Sequence, residues 1–586
     1  MRFPGTYIGD ILHNVPRSLR SSEVARGILL IILVGVSSGL GAVLFRKMIE
    51  GFDWLFFDGG ETAFGFFGKY YVIILPALGG LLVGLLVRYL AREAKGHGVP
   101  EVMIAVNAKG GRIRARVAAV KALASAICIG SGGSAGREGP IVQIGSALGS
   151  ALGQWSRLSE DWVKLLVACG AAGGISATFN APIAGVFFGL EVILRRFSSL
   201  YFMAVGFSAI IASAIASVFW GNSPTFTMIP EYVWTSGWEL PLYILLGAVA
   251  AFVAQGFIKT LYKGEDLFNA LRLPEYVKPA IGGLAVGLIG LFYPHLFGVG
   301  YEGVESALLG EFAVGLLVVM CLLKIVATTF TIGSGGSGGV FAPSLFIGAM
   351  LGSAFGRGAN ALFPATAVEP GAYGLVGMAA VFAAAAHAPI TAILILFEMT
   401  RDYLVILPLM LAVVTATYIS RRMARESIYT LKLKRRGVKL FKGEMDPLQY
   451  VTVGEIMTED FPAVSTEMPV TKLVRMLEKT GHHGCPVLSK GDKFYGVVTL
   501  SDVEEGLKSG TPHLKVGDIA TSNPLIAYPD QSVRDILLRL GTMDVGRIPV
   551  VDRDDPTRLV GVLRRHDIIK AYHKAVADAR KKGRVV

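Results

Sequence analysis

The sequence predicts an α-helical polytopic membrane protein with internal repeats, followed by a cytoplasmic α/β pair that is itself a tandem repeat. Three observations predict it. The 586 residues are 53% hydrophobic and 17% charged, with a mean hydropathy of +0.55, where an average soluble protein carries roughly 25% charged residues. Apolar runs follow one another from about residue 27 to 420 and then stop. Within them a glycine-rich pattern occurs twice, first at 130 and again at 333. This composition excludes a single soluble domain and a disordered chain, and 72 glycines without a G-X-Y period exclude a collagen.

The first 22 residues carry Arg2, Arg17 and Arg20 and no apolar core, so no cleavable signal peptide is read there. Gly27 to Leu44 is the first run long enough to cross a hydrocarbon layer of roughly 30 Å. Arginines ahead of it predict a cytoplasmic N-terminal segment over 1–24. Further apolar segments lie at 71–90, 113–129, 199–219, 241–258, 280–292, 313–331 and 403–420, several of them short or broken by glycine. Arg421, Arg422, Arg425, Lys432, Lys434, Arg435 and Arg436 then form a basic flank that predicts a cytoplasmic exit. The net charge of +12 is read through such flanks and not as a nucleic-acid footprint. The cysteines, Cys128, Cys169, Cys321 and Cys485, form no CxxC and suggest neither a disulfide framework nor a zinc site.

From about residue 450 the pattern becomes soluble, with a helix over Val470–Glu478 and a strand over Tyr495–Thr499. VGEIM at 453–457 returns as VGDIA at 516–520, Cys485-Pro486-Val487 as Ile548-Pro549-Val550, and GVVTLSD at 496–502 as GVLRRHD at 561–567. Two small units of this kind bury a shared face that neither could bury alone.

The membrane part repeats over a longer span. GSGGSAGREGPIVQIGSALG at 130–149 matches GSGGSGGVFAPSLFIGAMLG at 333–352, and GAAGGISATFNAPIAGVFFGLE at 170–191 matches GMAAVFAAAAHAPITAILILFE at 377–398. Lys121 and Lys324 each stand nine residues before their GSGGS. Two halves with Gly- and Pro-broken segments at matching positions mark a transporter or channel whose site lies between the halves, near the membrane midplane.

Glycine-rich backbone inside a membrane is tolerated only where protein or water covers it. A GSGGS run leading into a helix leaves amides free at a helix start, and these with the helix dipole favour an anion. Two such starts aimed at one spot hold an anion weakly enough for it to leave. Close helix packing is the other use of such runs, and no GKS or GKT follows to make a P-loop. Lys121 and Lys324, in apolar stretches, either supply a positive field or satisfy backbone carbonyls. Glu138, at the first of these helix starts, either competes with the anion as a gate or caps the helix.

GREGP (136–140), GVFAP (339–343) and GHGVP (96–100) resemble the three anion-binding signatures of the CLC family of chloride channels and proton/chloride antiporters. The resemblance runs over about 25–437, and the tail resembles a tandem pair of cystathionine-β-synthase (CBS) domains. It implies an α-helical CLC-like membrane domain with inverted internal repeats at about 25–220 and 235–437, a linker at 438–449, a cytoplasmic α/β tandem CBS pair at 450–508 and 509–575, and a basic tail at 576–586. It also implies a multi-pass protein of the inner or plasma membrane with cytoplasmic termini, and a homodimer with one pore per subunit. By resemblance Glu138 is the gate, Val340 and Phe341 present amides to a bound chloride, and Tyr429 in ESIYTLKL closes the inner side. Gly139 belongs to the second signature and Gly98, Val99 and Pro100 end the first.

Two departures stand out. His97 replaces the usual serine of the first signature, and an imidazole can donate and titrate. Val192 stands where proton-coupled members often carry a second glutamate after the one matching Glu191, so the sequence leans to a passive, voltage- or pH-gated chloride channel, with antiport as the alternative. In the CBS pair Asp502 and Asp567 match ribose-holding aspartates and Thr499 the usual hydroxyl; Arg564 departs from it and either reaches phosphates or faces solvent, and CBS pairs often bind an adenine nucleotide, though many bind nothing. No other cofactor and no metal is expected. A CBS-regulated divalent-cation transporter would need pore carboxylates, and Lys121 and Lys324 oppose it. No HExxH, GxSxG or comparable set points to an enzyme. His387 reads as a packed or helix-start residue, and His482 and His483 as solvent-facing.

Overall fold

The computed structural model describes residues 17–221, 237, 239–363, 370–438, 448, 451–508, 513–540 and 547–581, without the side chains of 17–24, 535, 538–540 and 576–581. The expected linker at 438–449 falls largely outside them, as does most of the N-terminal segment, and of the basic tail expected at 576–586 the backbone is described as helix up to residue 581. Two compact units divide the chain at Leu440.

Among its described residues the first unit is built of helices. Its helices are α1 (Arg17–Phe64), α2 (Ile74–Tyr89), α3 (Val99–Ala108), α4 (Arg116–Gly130), α5 (Glu138–Trp155), α6 (Glu160–Phe179), α7 (Pro182–Phe188, continued by a π-turn Gly189–Leu194), α8 (Ser199–Trp220), α9 (Glu239–Ala270) and α10 (Lys278–Gly290). Then come α11 (Tyr301–Leu308), α12 (Val314–Gly333), α13 (Phe341–Leu362), α14 (Pro370–Ala386), α15 (Pro389–Thr400), α16 (Ile406–Met423) and α17 (Thr430–Arg435). Six segments of the described chain are long and apolar enough to cross a membrane, and several shorter apolar helices lie between them.

The repeat extends further than the matched sequences. Helices α2 to α8 correspond in order to α10 to α16. The breaks correspond too. Gly132 and Gly335 take positive φ (96° and 112°), and Asn180 and His387 end α6 and α14 in the left-handed region (52° and 58°). A proline then starts the next helix on each side, where its missing N–H costs nothing.

Close approach of α2 and α10 reveals the relation between the halves. A Cβ on Gly80 would stand 2.2 Å from the Pro279 carbonyl oxygen and one on Gly84 2.1 Å from that of Tyr276. The repeat counterparts, Gly283 and Gly287, press on the Pro76 and Ile73 carbonyls. Numbers rise along one helix as they fall along the other, so two equivalent helices run antiparallel. Equivalent helices can oppose each other only if the repeat is inverted. Glycine serves here because any side chain would hold the backbones apart.

The second unit holds α18 (Val453–Ile456), β1 (Val464–Ser465), α19 (Val470–Thr480), β2 (Gly484–Leu488), β3 (Phe494–Thr499) and α20 (Leu500–Lys508). It continues with α21 (Val516–Ile519), α22 (Val533–Leu540), β4 (Arg547–Val551), β5 (Leu559–Arg564) and α23 (Arg565–Lys581). Strand β2 pairs in parallel with β1 and antiparallel with β3, and β4 pairs antiparallel with β5. The leading segments are exchanged. Thr458 bridges Val562 on the second sheet, while Thr521 bridges Val497 on the first. Val453 accordingly packs with Val550 and Leu563, and Val516 with Val487 and Val498. Boundaries drawn at 450–508 and 509–575 therefore divide the chain but not the two cores.

Candidate functional site

Three loops that the sequence singles out meet inside the first unit. Gly136 and Gly339 exchange both backbone hydrogen bonds, at 2.8 and 2.6 Å, and the Gly96 amide donates to Gly336 at 3.0 Å. Loop ends from opposite halves are thus stitched together by their own backbone, ahead of α3, α5 and α13. A Cβ on Gly139 would lie 2.3 Å from the His97 carbonyl, so only glycine lets the α5 start meet the first signature. The first turn of each helix leaves amides without intrahelical partners.

Glu138, Val340, Phe341 and Tyr429 are 1–2% exposed and His97 5%. The Glu138 carboxylate does not stay on its own helix. One oxygen, Oε2, accepts from the Ala342 amide of α13 at 3.3 Å, and the other, Oε1, accepts from the Tyr301 hydroxyl at 3.0 Å. The Phe341 ring is fixed between Phe179 and Phe382, at 5.4 and 4.2 Å between centroids. The His97 and Tyr429 rings lie 6.1 Å apart. His97 Nδ1 is buried without a hydrogen-bond partner among the described residues.

The paired lysines anchor carbonyls. Lys121 Nζ donates to Ala94 O (3.0 Å), Gly96 O (2.7 Å) and Ser337 Oγ (3.0 Å). Lys324 Nζ donates to Leu296 O and Gly298 O, both at 3.2 Å, and lies 4.8 Å from the Phe346 ring. Each thus holds the loop ahead of a short helix, α3 on one side and α11 on the other.

A cavity of about 340 Å³ reaches His97 and Gly98 from the face where the chain leaves α17, lined also by Lys95, Glu101, Lys432 and Arg436. Its cations are paired. Lys432 contacts Glu265, Arg436 lies 2.5 Å from Glu101, Arg435 2.7 Å from Asp266, and Lys95 2.8 Å from Glu275. In the loop between α9 and α10, hydrogen bonds from Lys95 and then Lys278 hold the Glu275 carboxyl down to about 2. The cavity is thus polar, with its lysines and arginines balanced by acidic partners.

Val192 is buried in the π-turn among apolar residues, in one cluster with Val186, Phe188 and Ile193. Glu191 points elsewhere. Its Oε2 accepts from the Thr391 amide (2.9 Å) and hydroxyl (2.7 Å), and Oε1 from the Ile390 amide (3.3 Å), which caps the start of α15. Glu398 does the same for α7, accepting from Ile183 and Ala184 at 3.0 and 2.7 Å. His387 is a packed turn residue, its ring 3.2 Å from Ser420 Oγ.

Two residues here escape a reading of motifs, Glu398 and Tyr301. The signal for Tyr301 was present: Gly298-Val299-Gly300-Tyr301 repeats the spacing of Gly96-His97-Gly98-Val99.

In the second unit Asp502 Oδ2 accepts from the Thr499 amide and hydroxyl, both at 2.7 Å. Asp567 Oδ2 accepts from the Arg564 amide (3.3 Å) and the Thr458 hydroxyl (3.4 Å). The Arg547 guanidinium donates to Gly484 O at 2.8 Å. Burial, then the charges of Arg547, Arg564 and His483, push the His482 imidazole below its ordinary value. His483 is exposed as expected, whereas His482 is only partly exposed, with its Nδ1 enclosed.

An inverted repeat whose broken helices converge on a buried carboxylate, with uncharged donors around it, defines a membrane protein that transports small anions. Known proteins make the class specific. The family described as voltage gated chloride channel matches residues 79–421, and the CBS domain matches 453–509 and 516–574. A relative from Ralstonia nicotianae, named as a ClcB-like chloride channel protein, is 35% identical over 410 residues, covering 69% of this chain and 95% of its own. The H(+)/Cl(-) exchange transporter ClcA of Vibrio parahaemolyticus is 32% identical over 450 residues, covering 73% and 95%. A slow cyanobacterial Cl−/H+ antiporter superposes with a TM-score of 0.65 at 27% identity, over 70% of this chain and 98% of that one. The chain belongs to the voltage gated chloride channel (CLC) family and carries a C-terminal pair of CBS domains.

Proposed function

We propose that the protein is a gated chloride channel in which Glu138 is the gate. The observation that carries this reading is the Glu138 carboxylate on the Ala342 amide of α13. A chloride held at that helix start would need the same amides, so carboxylate and anion compete for one place. Protonation weakens the carboxylate as a competitor, and acid opens the path. Farther in, His97, Gly98, Val99 and Gly139 on one side and Val340, Phe341 and Tyr429 on the other would hold the permeant anion, with the His97 imidazole donating where a serine hydroxyl is usual.

Conduction in this reading is passive. Val192 carries no proton, and Glu191 is engaged at the start of α15. A second reading, proton/chloride exchange, is favoured by the exchange transporters among the relatives and by the buried, unpartnered His97 Nδ1. The CBS pair would bind an adenine nucleotide, with Thr499, Asp502, Arg564 and Asp567 around ribose and phosphate, and would regulate the pore. Two subunits, each with its own pore and with termini in the cytoplasm, complete the proposal.

Chloride efflux from liposomes, recorded together with pH, tests it. Wild type should release chloride faster in acid, and Glu138→Gln should release it at a rate nearly independent of pH. Sustained uphill proton movement under a chloride gradient would replace the channel by the exchanger. Potassium or magnesium flux without chloride flux would overturn both.

A further inference from the structure

We propose that Tyr301 is the outer latch of the pore: its hydroxyl holds the Glu138 carboxylate in the closed position and so sets the pH at which the path opens. The proposal rests on the gate reading of Glu138 and deepens it. Four observations converge. The Tyr301 hydroxyl donates to Glu138 Oε1 at 3.0 Å, while Ala342 occupies the other oxygen. The Arg137 guanidinium lies 5.4 Å over the Tyr301 ring and engages its hydroxyl, which leaves the hydroxyl proton directed at the carboxylate. A Cβ at Gly136 would stand 2.3 Å from Glu138 Oε2, so the docked carboxylate fills the space available to it.

The fourth observation is symmetry. Gly96 and Gly98 have positive φ of 78° and 76°, and Gly298 and Gly300 have 54° and 83°. Lys121 holds the Ala94 and Gly96 carbonyls, and Lys324 holds those of Leu296 and Gly298. Helix α11 is therefore the inverted counterpart of α3, the helix of the first signature. The same device that frames the inner approach with His97 frames the outer one with Tyr301. Without the symmetry Tyr301 would be one aromatic among many.

The charged and titratable groups around the carboxylate come from several elements. They are Arg137 on the adjoining turn, Tyr301 at the start of α11, and Tyr429 ahead of α17, which lies within reach of the Glu138 charge. Of these only Tyr301 has a hydrogen bond to the carboxylate from a side chain on another helix among the described residues. A hydroxyl donor favours the ionised, docked carboxylate over the protonated one.

The test is the pH profile of chloride efflux from liposomes for wild type, Tyr301→Phe, Glu138→Gln and the double variant. Tyr301→Phe removes one oxygen and keeps the ring under Arg137. The half-activation pH should move up by about one to two units, the shift expected for losing a hydrogen bond to a charged group. Glu138→Gln and the double variant should have equal flux. An unchanged profile in Tyr301→Phe, or a loss of flux equal in both backgrounds, overturns the latch. Should the phenylalanine variant fail to assemble, 3-fluorotyrosine at position 301, a stronger donor, must move the profile towards acid, and no movement overturns the proposal. Persistent pH dependence in Glu138→Gln would instead remove the gate reading, a separate result.

Discussion

Replacing Lys121 by methionine separates a lysine that acts by its charge from one that acts by its hydrogen bonds. The side chain has no exposed surface and three acceptors. They do not suffer equally when it goes. Ala94 O keeps the Ser337 hydroxyl at 2.8 Å, and Ser337 Oγ keeps Ser125 at 2.9 Å. Among the described residues Gly96 O keeps only the Gly338 amide, at 3.4 Å, and becomes nearly an orphan. One buried carbonyl left short costs about 1–3 kcal/mol, and the lost bonds from a charged donor bring the total to about 2–4 kcal/mol. Lys324→Met should cost a similar amount, about 1–3 kcal/mol: Gly298 O keeps the Ala135 amide at 3.2 Å, but Leu296 O loses the one partner it has among the described residues. The assay is denaturant unfolding of the purified protein in detergent, paired with calorimetry of chloride binding. Lys121→Met should lose both stability and affinity, since Gly96 precedes the first signature helix. A variant within about 0.5 kcal/mol of wild type, the scatter of neutral substitutions, that nevertheless binds chloride poorly would refute the argument and return Lys121 to a through-space field.

Further outcomes follow from other contacts. Glu398→Ala and Glu191→Ala each strip two amides of their acceptor and should each lower thermal stability by about 1–3 kcal/mol, Glu191→Ala the more because the Thr391 hydroxyl also loses its acceptor; a large effect in one and none in the other would contradict the shared capping role. Asp502→Ala should abolish the heat of adenine-nucleotide binding seen in calorimetry with ATP, ADP, AMP or cyclic dinucleotides, and no heat in wild type would leave the CBS pair as a module without a nucleotide. The Lys95–Glu275–Lys278 cluster has a depressed carboxylate, so its contribution is present above the ordinary value of 4.5 and is lost only as pH falls towards about 2. Glu275→Gln should therefore leave the shape of the acid activation curve unchanged above about pH 5, and a shifted midpoint would place part of the pH response in this cluster.

The broken helices were legible because GSGGS and the Asn-Ala-Pro and His-Ala-Pro starts are local chemistry, read residue by residue. Their inversion came only with the family resemblance, and its physical trace lies in which carbonyls Gly80 and Gly283 touch across the two halves. Glu138 could be placed at a helix start from sequence, but that its carboxylate serves the helix of the other half depends on a contact 204 residues away. Lys121 and Lys324 were equally balanced between field and anchor until the carbonyls at 94, 96, 296 and 298 came within reach. Tyr301 was hidden because GVGY lacks the proline that makes GHGVP recognisable, although the glycine spacing is the same. In the tail the strands were plain from β-branched runs, whereas the exchange of 453–458 with 516–521 is a matter of which sheet each segment joins.

The reciprocal carboxylate caps bear on how the chain is made. Ile183 and Ala184 at the start of α7 need Glu398, 215 and 214 residues downstream, and Ile390 and Thr391 need Glu191, made long before them. At about 5–20 residues per second the ribosome takes roughly 10–40 s to cover that distance. During this time the first half holds two amides and a carboxylate for which its own residues provide no mate, in surroundings where an unsatisfied polar group costs several kcal/mol. The first half is therefore not a finished object when it leaves the insertion machinery. It must wait in a sheltered or hydrated place, with α7 loosely seated, until the second half arrives upside down and completes it.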